Sequence, residues 1–139
     1  MELLKEFGCT NCLGVVTPLD CNFKLQHDVG DLYPDPTKYR KLVGKLNFMT
    51  YTRPDIAFSV QHLSRFMQTP RIPHYQAAIY VLIYLKTLPT LGVLLHHDPS
   101  LSLLAYCEAA WASCSRTHRS VTGYVIFLGQ SLISWKSKK

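Results

Sequence analysis

The apolar residues of this chain change their spacing part-way along it, and that change limits the folds available. Up to Leu88 they recur every three or four residues behind proline-marked helix starts. Beyond residue 100 they run in short stretches rich in β-branched and aromatic side chains. Asp35 can cap and Pro36 suits a first helical position, so a helix is expected over residues 36–51. It would turn Tyr39, Leu42, Val43, Leu46 and Met49 inward. Thr52 and Asp55 have capping-box spacing and open a second helix over 54–67, with Ile56, Val60 and Leu63 in one row and Phe66 and Met67 extending it. Pro73 opens a third over 73–88, carrying Ala77, Val81, Tyr84 and Leu85 on one face.

Residues 1–7 read as a short helix closed by Gly8, and 9–35 as an irregular connection that packs against something. Strands are expected over 92–97, 101–112, 121–128 and 132–136, with a tight turn at Gly129-Gln130. Helices first and strands later define an α+β chain, or two pieces.

The formal charge of +6 favours an anionic partner, nucleic acid above all. Arg116, His118 and Arg119 cluster in one predicted loop, and Lys136, Lys138 and Lys139 lie at the end of the last strand. Arg116, Arg119, Lys136, Lys138 and Lys139 are therefore the candidate nucleic-acid contacts, weak and salt-sensitive, toward a duplex or hybrid. The same residues also suit a solvated surface. No apolar run reaches the roughly 18 residues a membrane span needs, so no membrane partner is expected. The first residues carry no signal-peptide core, and Glu2 and Glu6 fit poorly with a transit peptide. An intracellular location follows, cytoplasm or nucleus ahead of an organelle.

The five cysteines are expected to be reduced. Cys9 and Cys12 form a lone C-x-x-C, and Cys21 and His27 complete no recognised zinc spacing, so no metal site is expected. His96 and His97 would point to opposite faces of a strand, and Trp111 and Trp135 read as core.

Several segments, in order, resemble the Pol polyproteins of copia-type LTR retrotransposons. They are Thr17-Pro18-Leu19, Tyr39-Arg40-Lys41-Leu42-Val43-Gly44, Thr52-Arg53-Pro54-Asp55-Ile56 and Leu63-Ser64-Arg65-Phe66-Met67. Tyr84-Leu85-Lys86, Arg119-Ser120-Val121-Thr122-Gly123-Tyr124 and Ile133-Ser134-Trp135-Lys136-Ser137-Lys138-Lys139 continue the series. Tyr106-Cys107-Glu108-Ala109-Ala110-Trp111-Ala112 resembles the first strand of that family's RNase H domain, which usually reads Y-S/C-D-A-D-W-A.

The resemblance implies a helical reverse transcriptase tail over 1–99, thumb- or connection-like, followed by a truncated RNase H-like strand meander over 100–139. The parent enzymes are RNA-directed DNA polymerases and ribonucleases H that work with Mg²⁺. Two-metal chemistry needs clustered carboxylates. The sequence has no Asp-Asp pair, and the family's RNase H acids are reduced to Glu108, a degenerate first metal-ligand position. The chain is therefore expected to be catalytically inactive, with no cofactor of its own. The competing reading is a non-catalytic nucleic-acid-binding or interaction module retained by a host. The resemblance also implies that β-strand surface near the end of the chain lacks the helices that would cover it.

Overall fold

The computed structural model describes residues 2–20, 25–97, 99, 101–110 and 120–138, with Val121 and Lys138 described by their backbone only. The chain divides into two compact units, Met1–Leu91 and Gly92–Lys139. The first is helical and the second is a sheet, so the architecture is α+β.

The first unit holds α1 (Glu2–Glu6), α2 (Pro36–Met49), a 3₁₀ turn (Pro54–Ile56), α3 (Ala57–Ser64) and α4 (Ile72–Thr87). The Asp35 side chain accepts from the Lys38 amide at 2.9 Å, which caps α2 as its sequence requires. The three apolar rows meet in one core. Tyr39, Leu42, Val43 and Leu46 come from α2, Ile56, Val60 and Leu63 from the turn and α3, and Phe66 from just past the end of α3. Ala77, Ala78, Val81, Leu82, Tyr84 and Leu85 come from α4, and Leu4, Phe7 and Cys9 close one end. A fully buried side chain of this size contributes roughly 1.5–3 kcal/mol relative to an exposed one, so this cluster dominates the stability of the unit.

The capping box expected of Thr52 and Asp55 does not form. Thr52 donates its hydroxyl to the Met49 carbonyl, while the Asp55 carboxylate is taken by Arg53. With no side-chain cap, the second helical segment begins as a 3₁₀ turn. The irregular connection rests on α4. Near one end of α4, Arg71 donates from Nε to the His27 carbonyl at 2.6 Å, and the Ile72 amide donates to Asp31. Near the other, Lys86 Nζ donates to the carbonyls of Thr10 and Cys12, and Thr87 Oγ1 accepts from the Val15 amide.

The second unit holds β1 (Leu103–Ala110), β2 (Val121–Leu128) and β3 (Ser131–Lys138), an antiparallel sheet in the order β1-β2-β3. The strand expected over 92–97 does not form. This segment is irregular, and it is tied to the sheet where the His96 amide donates to Ser131 Oγ at 2.8 Å. His96 and His97 are both exposed, and with no strand here the expected division of the pair between opposite strand faces does not arise. Every residue of β1 is exposed, including Leu103, Leu104 and Tyr106. No helix among the described residues is long and apolar enough to cross a membrane.

Candidate functional site

The strand register fixes where the expected site residues stand. In an antiparallel sheet, residues directly opposite share a face and successive residues alternate. Glu108 of β1 lies opposite Gly123 of β2, which lies opposite Ser137 of β3. The next row is Cys107, Tyr124 and Lys136, and it belongs to the other face. Glu108 and Lys136, both exposed, therefore look out from opposite sides of the sheet.

A register shift causes this separation. From the turn, Leu128 pairs with Ser131 and Phe127 with Leu132, but Ile126 pairs with Ser134, so Ile133 has no partner in the ladder. Had the first register continued, Lys136 would stand opposite Gly123, on the face of Glu108. One extra residue moves every later side chain of β3 to the other face.

The two faces differ in chemistry. Leu104, Tyr106, Val125, Phe127, Leu132 and Trp135 share the side of Glu108, and the Tyr106 and Phe127 rings meet edge-on at 6.2 Å. Trp135 is half-buried rather than fully core. The opposite face presents Tyr124, which is 38% exposed, beside Lys136. The Lys138 backbone pairs with Thr122. Arg116, Arg119 and Lys139, with Trp111 and His118, lie outside the described residues, as does Cys21.

Glu108 does not fit a divalent-metal site. Its cross-strand neighbours Gly123 and Ser137 carry no charge, and it is the single acid between residues 101 and 139. Mg²⁺ takes near-octahedral oxygen ligands, usually with carboxylates among them. No group of three His, Cys, Asp or Glu able to hold a metal occurs among the described residues. Cys9 is buried and donates its thiol to the Phe7 carbonyl at 3.3 Å; burial, and the neighbouring Cys12, push its pKa up. A thiol held protonated in this way is a poor ligand and a poor nucleophile.

The basic residues of α2 have structural partners that the sequence did not reveal. Arg40 donates from Nε to the Met67 carbonyl at 2.8 Å and from Nη2 to that of Gln68. Beside it, the Tyr39 hydroxyl donates to the Leu63 carbonyl at 2.8 Å. Tyr39 and Arg40 thus tie α2 to the end of α3 and to the turn that follows it. Lys41 and Lys45 both pair with Glu6, whose carboxyl they hold below its usual range, and so join α2 to α1.

Comparison with known proteins agrees with this arrangement of motifs. The chain is 39% identical over 139 residues to the retrovirus-related Pol polyprotein from transposon RE2 of Arabidopsis thaliana, and 40% identical to that from transposon RE1. Each match covers 100% of this chain and 10% of the polyprotein. An uncharacterized mitochondrial protein of the same plant is 36% identical over 99% of this chain and 57% of its own length. No protein-family profile matches the chain. No solved structure matches it either. The chain belongs to the Pol polyprotein family of copia-type retrotransposons, and it spans about a tenth of the length of the polyproteins it matches.

Proposed function

We propose that the chain is the C-terminal part of a reverse transcriptase region joined to the start of an RNase H-like domain, and that by itself it catalyses neither reaction. The observation that carries the second half is the isolation of Glu108, which meets Gly123 and Ser137 across the sheet and no second carboxylate. Polymerisation and hybrid cleavage each need at least two metals clamped by several acids, and one carboxylate cannot hold them. The first half rests on the order of the motifs and on the Pol polyproteins they match.

Purified protein with Mg²⁺ or Mn²⁺ is expected neither to extend a primer nor to cut the RNA strand of a hybrid. Glu108→Asp should restore nothing. Metal-dependent cleavage that disappears in Glu108→Ala would overturn the reading.

A second reading, a retained nucleic-acid-binding module, is favoured by the other face of the sheet. Tyr124 and Lys136 stand side by side there, an aromatic ring for stacking next to a cation for phosphate. Residues 101–139 carry five Lys and Arg against one acid, Glu108. The mitochondrial relative is built largely on the same segment, which suits a protein kept without the rest of the polyprotein.

A further inference from the structure

Cys9 and Cys12 occupy the two ends of one tight turn. The Cys12 amide donates to the Cys9 carbonyl at 3.4 Å, the closure of a β-turn. Such a turn brings its end Cα atoms within about 7 Å, and a disulfide spans roughly 4.4–6.8 Å. The two thiols are close enough to hydrogen-bond to each other. The turn is held from both sides. The Cys9 amide donates to the Leu4 carbonyl of α1 at 2.8 Å, and Lys86 of α4 donates to the carbonyls of Thr10 and Cys12 at 2.6 and 2.9 Å. Among the described residues no group of three His, Cys, Asp or Glu could hold a metal, so the chemistry open to the pair is that of two thiols. The pair is also asymmetric: Cys9 is 2% exposed, and Cys12 is half-buried. The charges of Lys38 and Lys86 reach Cys9 and favour its thiolate.

We propose that Cys9 and Cys12 are a reversible redox pair that exchanges with a small-molecule disulfide, Cys12 attacking first and Cys9 closing the bond. Cys12, as thiolate, attacks one sulfur of the small disulfide. That S–S bond breaks, and one half leaves as a thiolate that takes up the proton Cys12 gave to water. Cys12 is left in a mixed disulfide. Burial, then the neighbouring Cys12, hold the Cys9 thiol protonated in the reduced chain. Capping Cys12 removes its share of that effect, while Lys38 and Lys86 remain. Cys9 then loses its proton and attacks the Cys12 sulfur, and the second half leaves as a thiol. Two protein thiols are oxidised to one disulfide, and the small disulfide is reduced to two thiols. The hydrogen bond from Cys9 to the Phe7 carbonyl is given up, and the turn beside Lys86 is closed covalently.

The test uses the full chain carrying Cys21→Ser, Cys107→Ser and Cys114→Ser, with oxidised glutathione as the probe. Alkylation and mass spectrometry are expected to show a chain two hydrogens lighter, with no retained glutathione and no reactive thiol, and dithiothreitol should reverse this. The folded pair should favour the disulfide roughly tenfold or more over the same chain unfolded in urea, because the turn already holds the thiols together. That comparison needs no substitution at either position. Adding Cys9→Ser keeps a donor for the Phe7 carbonyl but should stop the reaction at a glutathione adduct on Cys12. Adding Cys12→Ser should slow the reaction roughly tenfold or more, because Cys9 is buried. The helical circular-dichroism signal checks that both variants fold. A pair that stays reduced in excess oxidised glutathione, that retains the adduct, or that closes no more readily folded than unfolded overturns the proposal. So does a folded Cys12→Ser chain that reacts as fast as its parent.

Discussion

Arg53 and Asp55, two residues apart, form a two-pronged ion pair, with Nε to Oδ1 at 2.9 Å and Nη2 to Oδ2 at 2.7 Å. Pro54 between them starts the 3₁₀ turn and holds both side chains on one side of the backbone. The third guanidinium nitrogen, Nη1, donates to the Leu88 carbonyl at 2.8 Å, just past the end of α4. Tyr84, on the last turns of α4, donates its hydroxyl to Asp55 Oδ2 at 2.8 Å. The Thr-Arg-Pro-Asp-Ile motif is therefore a clasp between the start of one helical segment and the end of another.

Removing half of a buried pair leaves the other charge stranded. The Arg53 side chain is only 5% exposed, while Asp55 keeps some contact with water at 25%. Full burial of both would put the cost of Arg53→Ala at about 3–5 kcal/mol; the partial exposure of Asp55 lowers the expectation to about 2–3 kcal/mol. Tyr84→Phe removes one hydrogen bond to the same carboxylate and should cost about 1–2 kcal/mol. Urea unfolding followed by the helical circular-dichroism signal measures both. The double variant should cost less than the two effects added, since Arg53 and Tyr84 share Asp55.

The unit is also expected to lose stability in acid in two steps. His74 is buried, stacked on Phe66 at 3.8 Å between ring centres. Its Nδ1 accepts from the Arg71 amide at 3.0 Å, and its Nε2 donates to the Gln26 carbonyl at 2.9 Å, so the ring is bound in its neutral form. Burial lowers its pKa below the ordinary 6.5. The unfolded chain then takes up this proton first, and stability falls as pH drops below about 6.5, by up to about 1.4 kcal/mol per pH unit. Burial raises Asp55, but the hydrogen bonds from Arg53 and Tyr84 outweigh it and leave the pKa below 3.8. Its contribution is full above that value and is lost as pH falls through the folded pKa. Denaturation at a series of pH values should show both steps, and His74→Gln should flatten the first.

These particulars also show what the sequence could and could not convey. The helical rows were legible because burial repeats with the helix period, and Tyr39, Val60 and Ala77 all lie in the core as expected. The clasp was not, because Thr52 and Asp55 have the spacing of a capping box. Only the fold shows that a guanidinium competes for the same carboxylate and wins on charge. Residues 92–97 have strand composition but no strand among the described residues completes a ladder with them. The side of the sheet that each strand residue takes was not legible either. No local signal marks Ile133 as an extra residue, yet it decides which side of the sheet Lys136 occupies.

Gly44 offers a stabilising substitution. It lies in the middle of α2, exposed, and an added Cβ would meet nothing within 4 Å. Glycine inside a helix costs about 0.5–1 kcal/mol relative to alanine, so Gly44→Ala should gain about that much. Gly30→Ala should do the opposite. Gly30 has φ of +87°, and its Cβ would come within 2.7 Å of the Pro73 ring. Thermal unfolding of the two variants should shift in opposite directions from the parent chain.

The nucleic-acid reading makes a prediction about salt rather than sequence. If Lys136 contacts phosphate from the Tyr124 face, Lys136→Ala should weaken binding alike on every duplex or hybrid. It should also reduce the slope of log affinity against log salt by about one. Tyr124→Ala should weaken binding to single strands with little change in that slope, because stacking releases no counterions. Glu108→Gln provides the internal control. Glu108 looks out from the opposite side of the sheet, so removing its charge should alter affinity far less than Lys136→Ala does. Equal and opposite effects of the two substitutions would place both residues at one surface, contrary to the register of β3. Titration of a labelled hybrid by fluorescence anisotropy at several salt concentrations distinguishes these outcomes.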